Sequence, residues 1–268
     1  MQIYSLEHQS YLKKRRKEKL IIHIFRIIII FIFFGLWELL SQYKIINTFL
    51  FSSPSRICST ISNLIKDGLL FKNIFVTIYE IGISFIISSL LGIIISIIMW
   101  RYKILSKIIE PFLTIINSLP KVALGPLIII WVGSNTNSII FMALMINIFV
   151  TILGIYNSFI SVNNNYIIMI KSFGANTFQI FTKIIFPSSI IGIISTLKLN
   201  ISMSLIGVIM GELLVSKNGI GYLIMYGSQV FNIDLVLSNV FILGFISYAM
   251  YYVIENIELL LKKKYELL

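Results

Sequence analysis

The stretch Ile168-Met169-Ile170-Lys171-Ser172-Phe173-Gly174-Ala175-Asn176-Thr177-Phe178-Gln179-Ile180-Phe181-Thr182-Lys183-Ile184-Ile185-Phe186-Pro187 decides how this chain is read. With its polar lead-in from Ser161, it is too polar and too interrupted to cross a bilayer, which takes about 20 largely apolar residues. Apolar residues still recur at helical spacing (Ile170, Phe173, Phe178, Phe181 and Ile185), the pattern of short helices lying at a surface. Gly174 permits a left-handed turn between two such helices. Pro187 can open the helix that follows, where its missing N–H has no partner to lose. On both sides the sequence turns apolar, over about 138–160 and 188–214. The stretch therefore reads as a helical loop joining two membrane spans.

Working outward, four more apolar runs of spanning length appear, over about 20–40, 74–100, 108–132 and 235–259. The first follows the basic run Lys13–Lys19, like a signal peptide, but it is too long for one and lacks a small-residue cleavage site. It is read as a retained helix. Residues 41–72 are polar by comparison, and Ser53-Pro54-Ser55 looks like the start of a short helix ending at Gly68. The third run is interrupted by Pro111, Pro120, Gly125 and Pro126, and it exits through the polar turn Gly133–Asn137. Residues 215–234 are glycine-rich, and Gly219 and Gly221 are expected to shape a re-entrant turn.

Composition agrees with a polytopic membrane protein. Hydrophobic residues make up 57% of the 268 and charged residues only 12%, about half the charge that covers a soluble surface. There are 22 Lys and Arg against 11 Asp and Glu, with no basic patch interleaved with aromatics, so the excess is read as topogenic rather than as a nucleic-acid footprint. With the N-terminus inside, fourteen basic residues fall on cytoplasmic segments (13–19, 101–107, Lys171, Lys183 and 262–264). Five fall outside (Lys44, Arg56, Lys66, Lys72 and Lys217). The expectation is an all-α fold of six transmembrane helices with both termini cytoplasmic: a basic tail over 1–19 and one membrane domain over 20–268. The single cysteine, Cys58, excludes an internal disulfide and a thiolate metal cluster. His8 and His23 are the two histidines and lie near the N-terminus; no phosphate loop, metal-binding helix motif or nucleophile elbow occurs. No metal site and no catalytic centre are expected.

The 168–187 stretch resembles the "EAA" cytoplasmic loop of ABC importer permeases. Gly174, Ile184 and Pro187 stand in register with its pattern, while the E-A-A positions read Ile168-Met169-Ile170 and the Leu position reads Phe186. The segments Leu119-Pro120-Lys121 through Trp131-Val132-Gly133, Gly211-Glu212-Leu213-Leu214 and Asn218-Gly219-Ile220-Gly221-Tyr222 are similar to signatures of the nitrate/sulfonate/taurine branch, which also includes thiamine and riboflavin precursor transporters. Together these cover about residues 50–260. The resemblance implies a permease homodimer in a bacterial plasma membrane. Two ATPase subunits, which carry the ATP and Mg, would sit inside, and a solute-binding protein outside. It makes Lys171, Ser172, Phe173, Gly174, Ala175, Ile184 and Pro187 the coupling loop. It leaves the solute open between a sulfonate- or nitrate-like anion and a vitamin precursor. An ion-coupled carrier or channel and an integral membrane enzyme are the alternatives; the first would show internal repeats and the second clustered acids or histidines.

Pro120, Lys121, Lys198 and Glu212 are candidates for the translocation path or a gate. Lys121 sits beside a broken helix. Lys198 lies about 16 Å into the fifth run, counted from Pro187 at helical rise, which favours a path, interface or pairing role over snorkelling. Glu212 closes the fifth run before the glycine-rich segment. Glu80 could pair with a lysine, with nothing to choose the partner; Glu38 is read as interfacial. Asn200, Ser202 and Ser204 are read as close-packing residues.

Overall fold

In lipid the backbone must satisfy its own hydrogen bonds, and a chain this apolar does so by forming helices throughout. A computed structural model describes residues 6–265. The chain divides into two units, residues 1–63 and 64–268.

The first unit holds α1 (Leu6–Gln42), α2 (Thr48–Phe51) and the start of α3 (Pro54–Lys66). Apolar residues all round the 17–42 portion of α1 are exposed, as expected of a helix facing lipid. Ser53-Pro54 does start a helix, with Pro54 at its first position. Glu38 holds that start: its carboxylate accepts the Ser55 N–H at 3.0 Å and the Ser55 hydroxyl at 2.9 Å. Gly68, at φ +69°, lies just past the end of α3.

The second unit contains α4 (Leu69–Arg101), α5 (Lys103–Ser118), a 3-10 turn over Lys121–Leu124, α6 (Gly125–Val132) and α7 (Thr136–Ile160). It continues through α8 (Asn164–Ser172), α9 (Thr177–Ile180), α10 (Phe186–Val215), α11 (Ile220–Gln229) and α12 (Ile233–Tyr265). Among the described residues of the chain, five helical segments are long and apolar enough to cross a membrane. The run 103–132 adds a sixth if its two halves, bent by 84°, count as one broken span. The break falls at Pro120, whereas Pro111 is carried inside α5 without one.

One expected boundary shifts. Pro187 is the second residue of α10, but no gap precedes it: a π-turn over Phe181–Ile185 joins α9 to α10 in one helical run, Thr177–Val215. In that wide turn the Phe186 N–H reaches back five residues to the Phe181 carbonyl, so the hydrogen-bond ladder is already out of step where the proline removes a donor.

The core is the packing of α4, α7 and α10, and polar side chains are buried in it alongside the apolar ones. Asn73, Thr77, Glu80, Ser84, Ser88 and Ser96 form a buried stripe on α4 at helical spacing, while Phe75, Ile86, Leu90 and Ile94 face outward. Lipid tails are as apolar as Ile, so burying Ile gains little there; small residues that let backbones approach, and polar ties between helices, gain more. Ser88 and Ser204 donate to Asn200 Oδ1 at 3.0 and 3.3 Å, Asn200 Nδ2 donates to Ser89 at 3.0 Å, and Asn147 Nδ2 donates to Ser204 at 2.5 Å. A Cβ on Gly207 would lie 2.4 Å from the Ala143 Cα, so α7 and α10 touch through bare backbone there. The packing role expected of Asn200 and Ser204 is the one they have, whereas Ser202 is exposed and bonds only to the Lys198 carbonyl of its own helix.

Gly207→Ala should therefore destabilise the detergent-solubilised protein by roughly 1–3 kcal/mol, the usual cost of overpacking. Gly244→Ala, placed on α12 where a Cβ meets nothing within 4 Å, should be neutral or slightly stabilising. Thermal unfolding of the two variants side by side checks this.

Candidate coupling loop and membrane-embedded charges

The loop between α7 and α10 is built by local capping. Asn163 accepts the Asn165 N–H at 2.9 Å and starts α8. After Ser172 the chain reverses at Gly174, whose φ of +78° is the left-handed conformation expected of it. There the Gly174 N–H bonds to the Lys171 carbonyl and the Ala175 N–H to the Ile170 carbonyl, closing the C-terminus of α8. Asn176 and Gln179 then exchange side-chain and backbone hydrogen bonds at 2.9 Å and start α9.

The loop has two faces. Ile167, Ile170, Ala175, Ile180, Phe181 and Ile185 pack against Phe159, Ile155 and Ile193. Phe173 and Phe178 point the other way and are 83% and 74% exposed. Lys171 and Ser172 are exposed beside them, while Ile184 is half-buried next to the fully buried Ile185. A groove of about 860 Å³ runs alongside, between the α4–α5 turn, α7 and α8, and Arg101, Lys103, Lys107 and Lys171 line it.

The embedded charges are mostly accounted for inside the chain. Lys121 is 9% exposed; its Nζ donates to Asn117 Oδ1 at 2.8 Å and to the Ile146 carbonyl at 3.0 Å, and lies 5.4 Å from the Phe149 ring. The lysine pins the broken third span to α7, with Pro120 exposed at the break. Lys198 forms an ion pair with Glu258 and lies 5.2 Å from the Tyr251 ring, both on α12. Glu258 lies four residues before the basic run Lys262–Lys264, near the polar end of α12.

Glu212 holds the opposite end of the bundle. Its Oε1 accepts the Thr77 hydroxyl at 2.6 Å and its Oε2 accepts the Gly221 N–H at 2.5 Å. Thr77 Oγ1 in turn accepts the Ile220 N–H at 2.9 Å, and Asn73 Oδ1 accepts the Gly219 N–H at 2.6 Å. The orphan donors at the start of α11 are thus met by side chains of α4 and α10, with a carboxylate at the positive end of the helix dipole. The glycines are obligatory: Gly219 has φ +106° and a Cβ on it would sit 2.3 Å from Glu212 Oε1. Asn73 and Thr77 were not singled out from sequence, although their place on the buried stripe of α4 was a readable signal.

Residues 88–266 match the family described as the binding-protein-dependent transport system inner membrane component. The chain belongs to this family. It is the permease subunit of an ABC importer, a multi-pass inner membrane protein. The carrier, channel and membrane-enzyme alternatives are thereby set aside. A probable ABC transporter permease of Haemophilus influenzae is 24% identical over 85% of this chain and 93% of its own length. The formylaminopyrimidine transport permease ThiX of Halalkalibacterium halodurans is 27% identical over 85% and 92%. A putative aliphatic sulfonates transport permease of Bacillus subtilis is 24% identical over 78% and 75%. The fold matches a chain of the methionine ABC transporter MetNI in an inward-facing conformation, with a TM-score of 0.64 at 14% identity over 73% of this chain and 97% of that one. Permeases of this family carry no cofactor and no catalytic site; ATP is bound by a partner ATPase, and a binding protein is the other partner of the system.

Reversing one charge of the pair, Lys198→Glu, should lower the thermal stability of the permease, and the swap Lys198→Glu/Glu258→Lys should recover much of it. A double-mutant cycle should give a coupling of roughly 1 kcal/mol or more. A coupling near zero would mean that the two side chains do not meet.

Proposed function

We propose that the α8–α9 loop is the surface on which this permease receives its ATPase. The observation that carries the reading is the pair Phe173 and Phe178, exposed on a loop whose other face is locked into the bundle core. A knob anchored in this way transmits a push or pull to α7 and α10 instead of folding aside. Lys171, Ser172 and Ala175 shape the turn around it, and Ile184 and Pro187 lead into α10. The basic groove beside it offers complementary charge to an acidic rim.

The loop side is then cytoplasmic, as the distribution of basic residues also argues; both termini lie on it, and residues 1–19 form a basic cytoplasmic tail. The single membrane domain, 20–268, works as a homodimer, and the solute-binding protein meets the end that Glu212 fastens. Pro120, with Lys121 behind it, and Glu212 border the path. For the solute, the state of the embedded lysines favours one class. Lys121 is tied to Asn117 and Ile146, and Lys198 to Glu258, so neither stands ready for an oxyanion. A heterocyclic solute such as the formylaminopyrimidine in the name of the Halalkalibacterium relative fits better than a sulfonate or nitrate.

Gly174→Val places a β-branched residue at positive φ, where a Cβ meets no neighbour within 4 Å, so only the turn is strained. The variant should reach the membrane at the wild-type level but lose at least about tenfold in ATPase association, which costs about 1.4 kcal/mol; co-purification reads it, and normal association would refute the docking site. Uptake by cells dependent on this transporter should be competed by a formylaminopyrimidine and not by an aliphatic sulfonate. The reverse would return the solute to the anionic class.

A further inference from the structure

Glu80 lies on α4 almost one turn beyond Thr77 and has no exposed surface. Neither of its carboxyl oxygens has a hydrogen-bond partner among donors. The groups beside it are the carboxylate of Glu212 on α10 and the hydroxyl of Thr136 at the start of α7. No Lys, Arg or His among the described residues acts on it. As an anion, Glu80 would be unpaired, out of water and against a second anion, the arrangement that buried charges avoid. As a neutral acid it gains one O–H donor, and an acceptor is already beside it.

The hydrogen bonds say which of the two carboxyls holds the proton. Glu212 receives Thr77 Oγ1 on one oxygen and the Gly221 N–H on the other, at 2.6 and 2.5 Å; it is solvated by donors as an ion is, and each oxygen keeps a further lone pair. Glu80 receives none within hydrogen-bond geometry, the Thr136 hydroxyl being the one donor beside it. We propose that Glu80 is a protonated carboxylic acid that donates its O–H to the Glu212 carboxylate, and that this acid–carboxylate pair is what positions the α10–α11 turn against α4. Glu80 is a positioning residue: it does not line the loop or the groove, and it acts through Glu212. The tie needs no counter-cation, which explains why a carboxyl is tolerated on this stripe with no lysine to meet it.

The test uses the full permease with its ATPase partner, reconstituted in lipid nanodiscs at neutral pH. Its infrared spectrum should contain the carbonyl band of a protonated carboxylic acid, and Glu80→Gln should remove it. Because an amide N–H can replace the O–H as donor to Glu212, Glu80→Gln should melt within about 2 °C of wild type, whereas Glu80→Ala, leaving a void and an unmet acceptor, should melt more than about 5 °C lower. A merely space-filling role predicts no acid band. Absence of that band from the wild-type spectrum overturns the proposal whether or not the variants fold. A band that survives Glu80→Gln, or a Gln variant as unstable as the Ala variant, overturns it as well.

Discussion

The carboxylate of Glu212 organises one end of this permease. It closes the last turn of α10, takes the Thr77 hydroxyl from α4 and takes the Gly221 N–H from the first turn of α11. One carboxylate on α10 thus fixes α4 and the start of α11, because each of these presents a donor that would otherwise be unmet. The glycines at 219 and 221 follow from the same contact, since a side chain at either would occupy the space of the carboxylate. The Asn-Gly-Ile-Gly motif is therefore a consequence of burying an acid under a helix start.

Between the two ends polar and small residues tie the helices together alongside the buried isoleucines. The Ser88–Asn200–Ser204–Asn147 chain joins α4, α7 and α10, and Gly207 lets two of these backbones touch. Such contacts are directional and short. They tie α4, α7 and α10 to one another at fixed positions.

Much of this was legible in the sequence. The six apolar runs, the helix start at Ser53-Pro54, the polar turn at Gly133–Asn137 and the left-handed turn at Gly174 all follow from composition and backbone preference, which are local properties. What was not legible depends on partners. Glu80 and Glu212 stand 132 positions apart, and no spacing rule links them; Lys198 and Glu258 meet only because α10 and α12 run side by side. The π-turn before Pro187 escaped because a proline signals a helix boundary equally well whether or not a gap precedes it. The buried stripe on α4 was visible in principle, but reading the run for length and hydropathy averages over the face that carries it.

In the proposed function the two ends have different tasks: one is fastened by Glu212, and the other offers the exposed face of α8–α9 to the ATPase. Site-directed cross-linking in membranes separates them most directly, using single cysteines at Phe173 and at Lys217 in a Cys58→Ser background. A cysteine at 173 should cross-link to the ATPase subunit, and one at 217, on the α10–α11 turn, should not. Cross-linking of the ATPase from 217, with none from 173, would contradict the account.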